Sequence, residues 1–450
     1  MGNRWRQNHV LRNAPTVVLK IFQSRFIAIS AVKRSNPRSW EIQHQCPQCG
    51  APVTLEETDR LFYCSYCRNR LYLISKDYFR YYLPSPNPAS EDFIYVPYWR
   101  FKGMAFFSKA DQIGHKLIDL SSMASRHSFL PHSLGVRPQV LKLKFVSPEL
   151  EGKFFDASVP LKTVMKAIQK QLHSAGGNAL ADPLFLKAFV GDTVSLIYSP
   201  LFIKGKMFHD AILGEPIAEI PEGFVDDLLS FSQQPDWGVK FVSTLCPHCG
   251  WDLLGERDSV ALFCKNCDSA WEASQMLLEK VDFGMTPGKE TPSTYLPFWV
   301  MKTRIEELNL RSYADLVRVA NVPKVMKKEW EGLDLNFWAP AFKVPPQIFL
   351  GLTKCMTISQ PGEPFEASLP KASLYPVTLP VSEAMESIKV TLANIASNKQ
   401  EIFPRLSEIN VQLDKFLLVY LPFHFNGTEF INSRTQSCIH KNYLKLGKNL

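Results

Sequence analysis

Apolar positions along the chain recur with two periods. After Pro160, Leu161, Val164, Met165, Ile168 and Leu172 fall three or four residues apart, the stripe of a helix packed on one face. The same stripe returns after Pro380 as Val381, Ala384, Met385, Ile388 and Leu392. Proline suits the first turn of a helix, where its missing N–H has no intrahelical partner to lose. The second period is that of strands. Tyr95-Val-Pro97-Tyr-Trp99-Arg-Phe101 alternates and meets Lys102-Gly103, Tyr198-Ser-Pro200-Leu-Phe202 leads to Lys204-Gly205, and Tyr420-Leu-Pro422-Phe-His424-Phe425 leads to Asn426-Gly427. The last pair is the strongest short hairpin signal in the chain. Proline cannot donate to a ladder, so these strands are expected at sheet edges or at bulges. Their aromatic residues are expected to be structural, with a partner groove along the proline-bearing edge as the sharper reading.

The patterns occur twice, in the same order. Cys46, Cys49, Cys64, Cys67 and YVPYW (Tyr95 to Trp99) return 200 residues later as Cys246, Cys249, Cys264, Cys267 and YLPFW (Tyr295 to Trp299). The offset is 208 between Leu134–Leu141 and Phe342–Phe349, 220 between Pro160 and Pro380, and 222 between Ile197–Phe202 and Val419–His424. Offsets that only rise point to one duplication with insertions in the second copy. The expected fold class is therefore α+β: two tandem copies of a module made of a four-cysteine zinc ribbon followed by a small, mainly antiparallel sheet with a packed helix. The expected organisation is a basic leader (1–40), ribbon 1 (41–78), α+β domain 1 (90–214), a linker (215–240), ribbon 2 (241–280), α+β domain 2 (291–435) and a basic tail (436–450).

Charge changes the picture only once it is located. The chain of 450 residues has a formal charge of +8, but residues 1–40 hold eight Lys and Arg and no acid, which leaves 43 of each sign in the remainder. The global argument for a polyanion partner thereby disappears, although a local basic patch remains open. The leader reads as a transit peptide, a membrane-surface helix or the product of a start site assigned too far upstream. No apolar run in the sequence approaches the roughly 20 residues of a membrane-spanning helix.

Candidate chemistry is concentrated in the cysteines. Eight of the ten fall in two Cys-x2-Cys-x14-Cys-x2-Cys frames. Two residues between cysteines let both sulfurs of a tight turn face one ion, and the longer gap fits two short strands that bring a second such turn opposite. In copy one these strands are Ala51–Leu55 and Leu61–Tyr63 around a turn at Glu56–Arg60; in copy two they are Trp251–Leu254 and Val260–Phe263 around Gly255–Ser259. Two structural Zn2+ per chain are expected, held by Cys46, Cys49, Cys64 and Cys67 and by Cys246, Cys249, Cys264 and Cys267. Rubredoxin-type iron and disulfides are the alternatives; against iron, Arg68 and Asp268 stand where glycine usually follows the second pair. His248 is not expected to be a ligand, Cys438-x-His440 is a minor candidate pair, and Cys355 reads as a buried thiol. Paired cysteines at metal spacing, without a convincing secretory signal, suggest a reducing compartment, and the expected location is cytoplasmic.

The run CPQCG, CSYC and YVPYW resembles zinc ribbons of the transcription factor IIB type. It is also similar to poorly characterised bacterial proteins that join such ribbons to Tyr-x-Pro-Phe-Trp segments. The resemblance implies a structural zinc protein and brings no catalytic residues. Phosphate-loop, kinase, His-Glu-x-x-His and Gly-x-Ser-x-Gly patterns are missing from the sequence, so the leaning is away from an enzyme, and no small-molecule site is evident. The leading expectation is a non-enzymatic zinc-binding scaffold or adaptor with duplicated protein-binding modules and an unidentified protein partner. The alternative is nucleic-acid binding through ribbon 1, where Arg60, Arg68 and Arg70 stand beside Tyr66 and could contact phosphates and stack bases.

Overall fold

The computed structural model describes residues 41–450 apart from 76, 87–91, 110–111, 136–141, 165–186, 225–238, 275–276, 289–293, 324, 362–364 and 448–450. The leader, much of the expected linker and most of the first helical stripe lie outside the described residues. The first cysteine frame carries β1 (Glu41–Gln45), β2 (Pro52–Glu56), β3 (Leu61–Tyr63) and β4 (Arg70–Ser75). There follow β5 (Phe79–Tyr82), β6 (Ile94–Lys109), β7 (Gln112–Met123), β8 (Leu143–Phe145), β9 (Lys153–Phe154), β10 (Lys187–Lys204), β11 (Met207–Asp210) and β12 (Pro216–Glu219). The second frame carries β13 (Val239–Ser243), β14 (Ala261–Cys264), β15 (Ser269–Ser274) and β16 (Leu277–Val281). After it come β17 (Phe283–Met285), β18 (Thr294–Arg304), β19 (Asn336–Pro340), β20 (Gln412–Phe425), β21 (Glu429–Ile431) and β22 (Cys438–His440). Described helices are α1 (Tyr313–Ala320), α2 (Pro346–Ser359), α3 (Val381–Ile395), α4 (Lys399–Arg405) and α5 (Lys441–Gly447), with another opening at Leu161. The class is α+β, mostly sheet.

Each half is built on one pair of long antiparallel strands. In β6 and β10, Tyr95 faces Pro200 and Pro97 faces Tyr198; in β18 and β20, Tyr295 faces Pro422 and Pro297 faces Tyr420. The flanks agree as well. β5 runs parallel to β10 and β17 parallel to β20, while β11 and β21 each continue as hairpins after Lys204-Gly205 and Asn426-Gly427. Trp99 donates from Nε1 to the Val159 carbonyl (2.9 Å), just before Pro160, and Trp299 donates to Leu379 (2.8 Å), just before Pro380. Both indoles thus tie the long strand to the start of the helix that follows.

The proline-bearing strands are interior rather than at sheet edges. Both pairs carry the other expected feature, a register shift, but between Val190 and Thr193 and between Lys302 and Thr303, away from the prolines. β6 lies between β7 and β10, and β18 lies between β19 and β20. A residue's N–H and C=O point to the same side of an antiparallel strand, so its carbonyl partner shows where the missing N–H would point. The Pro97 carbonyl accepts from Ala124, one residue beyond the end of β7, and that of Pro297 from Ala341, one residue beyond β19. Pro200 accepts from Ala211, just past β11, and Pro422 from the Asn432 side chain, just past β21. Each proline is placed where its neighbour strand has run out, a local edge within a buried sheet.

A further expectation changes. Lys102-Gly103 does not end its strand; Gly103 pairs with Ile118, and β6 continues to Lys109. The second helical stripe is α3, where Ala384, Ile388 and Leu392 are buried and Met385 is 38% exposed. Residues of the expected linker include β12, and Phe224 packs on the rings of His127, Phe129, Phe155 and Phe208.

The described residues belong to one compact unit. Its largest core joins both halves: Met104, Phe106, Ala188 and Val190 from the far ends of β6 and β10 share a cluster with Phe349, Leu379 and Ile388. A second feature ties the first frame to its sheet. Glu57, in the turn after β2, forms a fully buried ion pair with Arg100 of β6, which also meets Asp119 of β7 at 3.1 Å. Lys102 lies in the same field, where burial lowers its pKa against the pull of Glu57.

Candidate metal centres

The eight framed cysteines gather into two clusters of four, with all sulfurs of a set within 4.8 Å of one another. Both are made in the same way. In the first turn of each frame, the Gly50 and Gly250 N–H groups donate to the Cys46 and Cys246 carbonyls, at 2.8 Å in both cases. Those glycines have φ of +71° and +73°, the left-handed region that closes the turn. The second turn closes similarly, and there Arg68 (φ 62°) and Asp268 (φ 47°) take the left-handed position without being glycine. The turn shape is therefore shared, and the lack of glycine says little about which metal it suits.

Geometry tests what the sets can hold. Four thiolates about 2.3 Å from a tetrahedral ion lie about 3.8 Å from each other. The sulfurs of Cys46 and Cys67 are 3.8 Å apart, those of Cys49 and Cys64 3.6 Å, Cys246 and Cys267 3.7 Å, and Cys249 and Cys264 3.4 Å. All are free thiols, far beyond the about 2.05 Å of a disulfide. Each set is zinc-ribbon-like and can hold one zinc ion. Backbone N–H groups of Cys67 and Tyr66 bring the Cys64 thiol down to about 6. At Cys246 burial works against ionisation, yet the N–H groups of Cys249 and His248 prevail and bring it to about 6. In the second set the Ser269 hydroxyl lies 3.0 Å from Cys267 Sγ and accepts from Trp271 Nε1 at 2.8 Å. Ser269 is a supporting residue that sequence reading missed. Cys355 is half-buried, and Cys438 and His440 join no metal-binding group among the described residues.

The two frames are locked together. β13, which leads into the second, pairs antiparallel with β4 of the first. Arg60 and Leu61 donate their N–H groups to the Arg257 carbonyl at 2.7 and 2.9 Å, and Arg257 forms an ion pair with Asp59. The Tyr72 hydroxyl donates to the Ser259 carbonyl at 2.9 Å. Leu61, Tyr72 and Ile74 share a small core with Leu253, Leu262 and Trp271, which includes Cys246 and Cys264.

This packing divides the residues proposed for nucleic acid. Arg60 turns inward, donating to the carbonyls of Glu57 and Asp59 with its guanidinium 4.5 Å from the Phe79 ring centre, and is committed to the turn. Arg68, Arg70 and Tyr66 remain exposed, Tyr66 by 70%. Arg68 and Arg70 line a groove along the seam of the frames, joined there by Tyr63, Trp251 and Lys265. Among the described residues no helix is long and apolar enough to cross a membrane. No protein family, curated protein or solved structure matches the chain.

Proposed function

We propose that the chain is a zinc-dependent, non-enzymatic scaffold in which two structural zinc ions clip two ribbons of the transcription factor IIB type. The observation that carries this reading is the pair of four-cysteine clusters, whose sulfur spacings suit a tetrahedral ion with four protein ligands and no open position. A site closed in this way stabilises a fold and does not activate water or substrate. The duplication is part of the proposal: a ribbon at 41–78 serves the sheet at 90–214, and a ribbon at 241–280 serves the sheet at 291–435. Support comes from the matching Tyr–Pro registers and from the two Trp-to-carbonyl bonds. On this reading the rigid ribbon pair presents surfaces to a protein partner in the cytoplasm. Nucleic-acid binding is a second reading, favoured by the exposed cations and aromatics along the seam.

Elemental analysis of purified chain tests the zinc assignment. Two zinc ions per chain are expected, falling to one in Cys49→Ser and in Cys249→Ser. Cobalt exchange should give the intense visible bands of a tetrahedral thiolate site. Iron at either set, or chain that is folded and metal-free, would sink the reading.

A further inference from the structure

The seam between the frames is a groove of about 820 Å³. One wall comes from the first frame, with Tyr63, Arg68 and Arg70, and the other from the second, with Trp251 and Lys265. Tyr63 is 55% exposed and Trp251 61% exposed, so two large aromatic side chains sit in water beside three cations. None of the three cations takes part in an ion pair among the described residues, and Asp252 is the one acid on the lining. The arrangement stands out because residues 41–450 are neutral overall. Aromatic faces next to unpaired cations match a ligand that alternates planar rings with negative charge. In a duplex the rings are already stacked on one another, whereas in a single strand they are free.

We infer that the seam groove binds single-stranded nucleic acid, with bases stacked on Tyr63 and Trp251 and phosphates held by Arg68, Arg70 and Lys265. The inference rests on the zinc reading, since the two clips hold the two walls. Neither frame presents the whole site alone: the first brings Tyr63, Arg68 and Arg70, and the second adds Trp251 and Lys265. The contact is independent of sequence in this form, because every base has a stacking face and the cations address only the backbone.

The test is fluorescence anisotropy of short labelled oligo(dT), oligo(rU) and a mixed-sequence duplex with the full zinc-loaded chain, across a salt series. Wild type should prefer the single strands. Tyr63→Ala and Trp251→Ala should each weaken single-strand binding by about 5- to 100-fold, the loss of one stacked base. Arg68→Glu with Arg70→Glu should weaken it further and make the slope of log affinity against log salt shallower by about 1.5. Lys354→Glu, an exposed cation off the groove, should change nothing. The eight cations of the leader bind any polyanion, so groove binding is read at salt high enough to abolish duplex binding, where the leader no longer holds the oligonucleotide. Equal affinity in wild type and the aromatic variants, preference for the duplex, or equally effective competition by an acidic peptide would each overturn the inference. Zinc content measured on the same samples separates the two claims. Wild type with two zinc ions and no groove-dependent binding rejects this inference alone, while wild type without zinc rejects the reading beneath it.

Discussion

Ser269 shows how a single hydroxyl supports a thiolate set. It accepts from Trp271 Nε1, which leaves its own proton to point at Cys267 Sγ 3.0 Å away. A hydrogen bond to a metal-bound sulfur disperses its charge and fixes its position. Ser269→Ala should therefore raise the rate of zinc transfer from the second set to a chromogenic chelator by about 10-fold, with the first set unchanged. A faster second-set phase in the variant than in wild type, with the first-set phase unmoved, is the expected trace; identical traces would leave Ser269 with a packing role only. At this scale the grouping of the framed cysteines into two sets of four was legible, because a repeated spacing needs no knowledge of the rest of the fold. The fate of Arg60 was not. In sequence it stands with Arg68 and Arg70 as one basic cluster, and only the docking of its turn against Phe79 and the second frame withdraws it. Glu57 and Arg100 were equally hidden, since nothing local marks a charge that will be buried against a partner 43 positions away.

Among the elements, the strands were readable and their neighbours were not. Alternation located the Tyr-x-Pro strands, yet proline's lost donor suggested edges or bulges, whereas the sheet places each proline beside a strand that has just ended and puts its register shifts elsewhere. α1 escaped notice although Ser312 and Asp315 spell its capping box, in which each side chain accepts from the other's N–H. The hairpin of β15 and β16 carries a prediction of its own. Glu272 and Glu279 are directly opposite in its ladder, and burial first, then the Glu279 charge, push Glu272 up to about 7 from 4.5. The folded state then holds this proton more tightly than the unfolded chain. Its contribution is fully present below about 4.5 and is lost as pH rises to about 7. Glu272→Gln should thus be more stable than wild type above about pH 7.5, by on the order of 2 kcal/mol, with the gap closing toward pH 5. Urea titrations between about pH 5.5 and 8, where thiolate sites keep their zinc, would show this; a gap independent of pH would mean that the carboxylate is hydrated.

For the whole molecule, the question is whether two similar halves behave as two bodies. A duplicated pattern invites that expectation, and hydrophobic periodicity cannot correct it, because it shows which faces are buried and not what buries them. The far ends of β6 and β10 answer it. Phe106 is 1% exposed, its ring centre 6.1 Å from that of Phe349 in α2, and Met104 and Val190 lie in the same core as α3. The first half therefore supplies part of the second half's helix-facing core, while β13 returns the exchange by completing the sheet of β3 and β4. With apolar contacts shared at one end and a shared ladder at the other, neither half can unfold without exposing core of its neighbour. Phe106→Ala should destabilise the chain by about 3–4 kcal/mol, as truncation of a buried phenylalanine does. The informative observable is the shape of the transition. In scanning calorimetry of zinc-loaded chain, wild type should melt in one cooperative step, and the variant should keep one step at lower temperature. Two resolved transitions, of which Phe106→Ala moves only one, would mean that the halves are independent and that the contacts between them are weak.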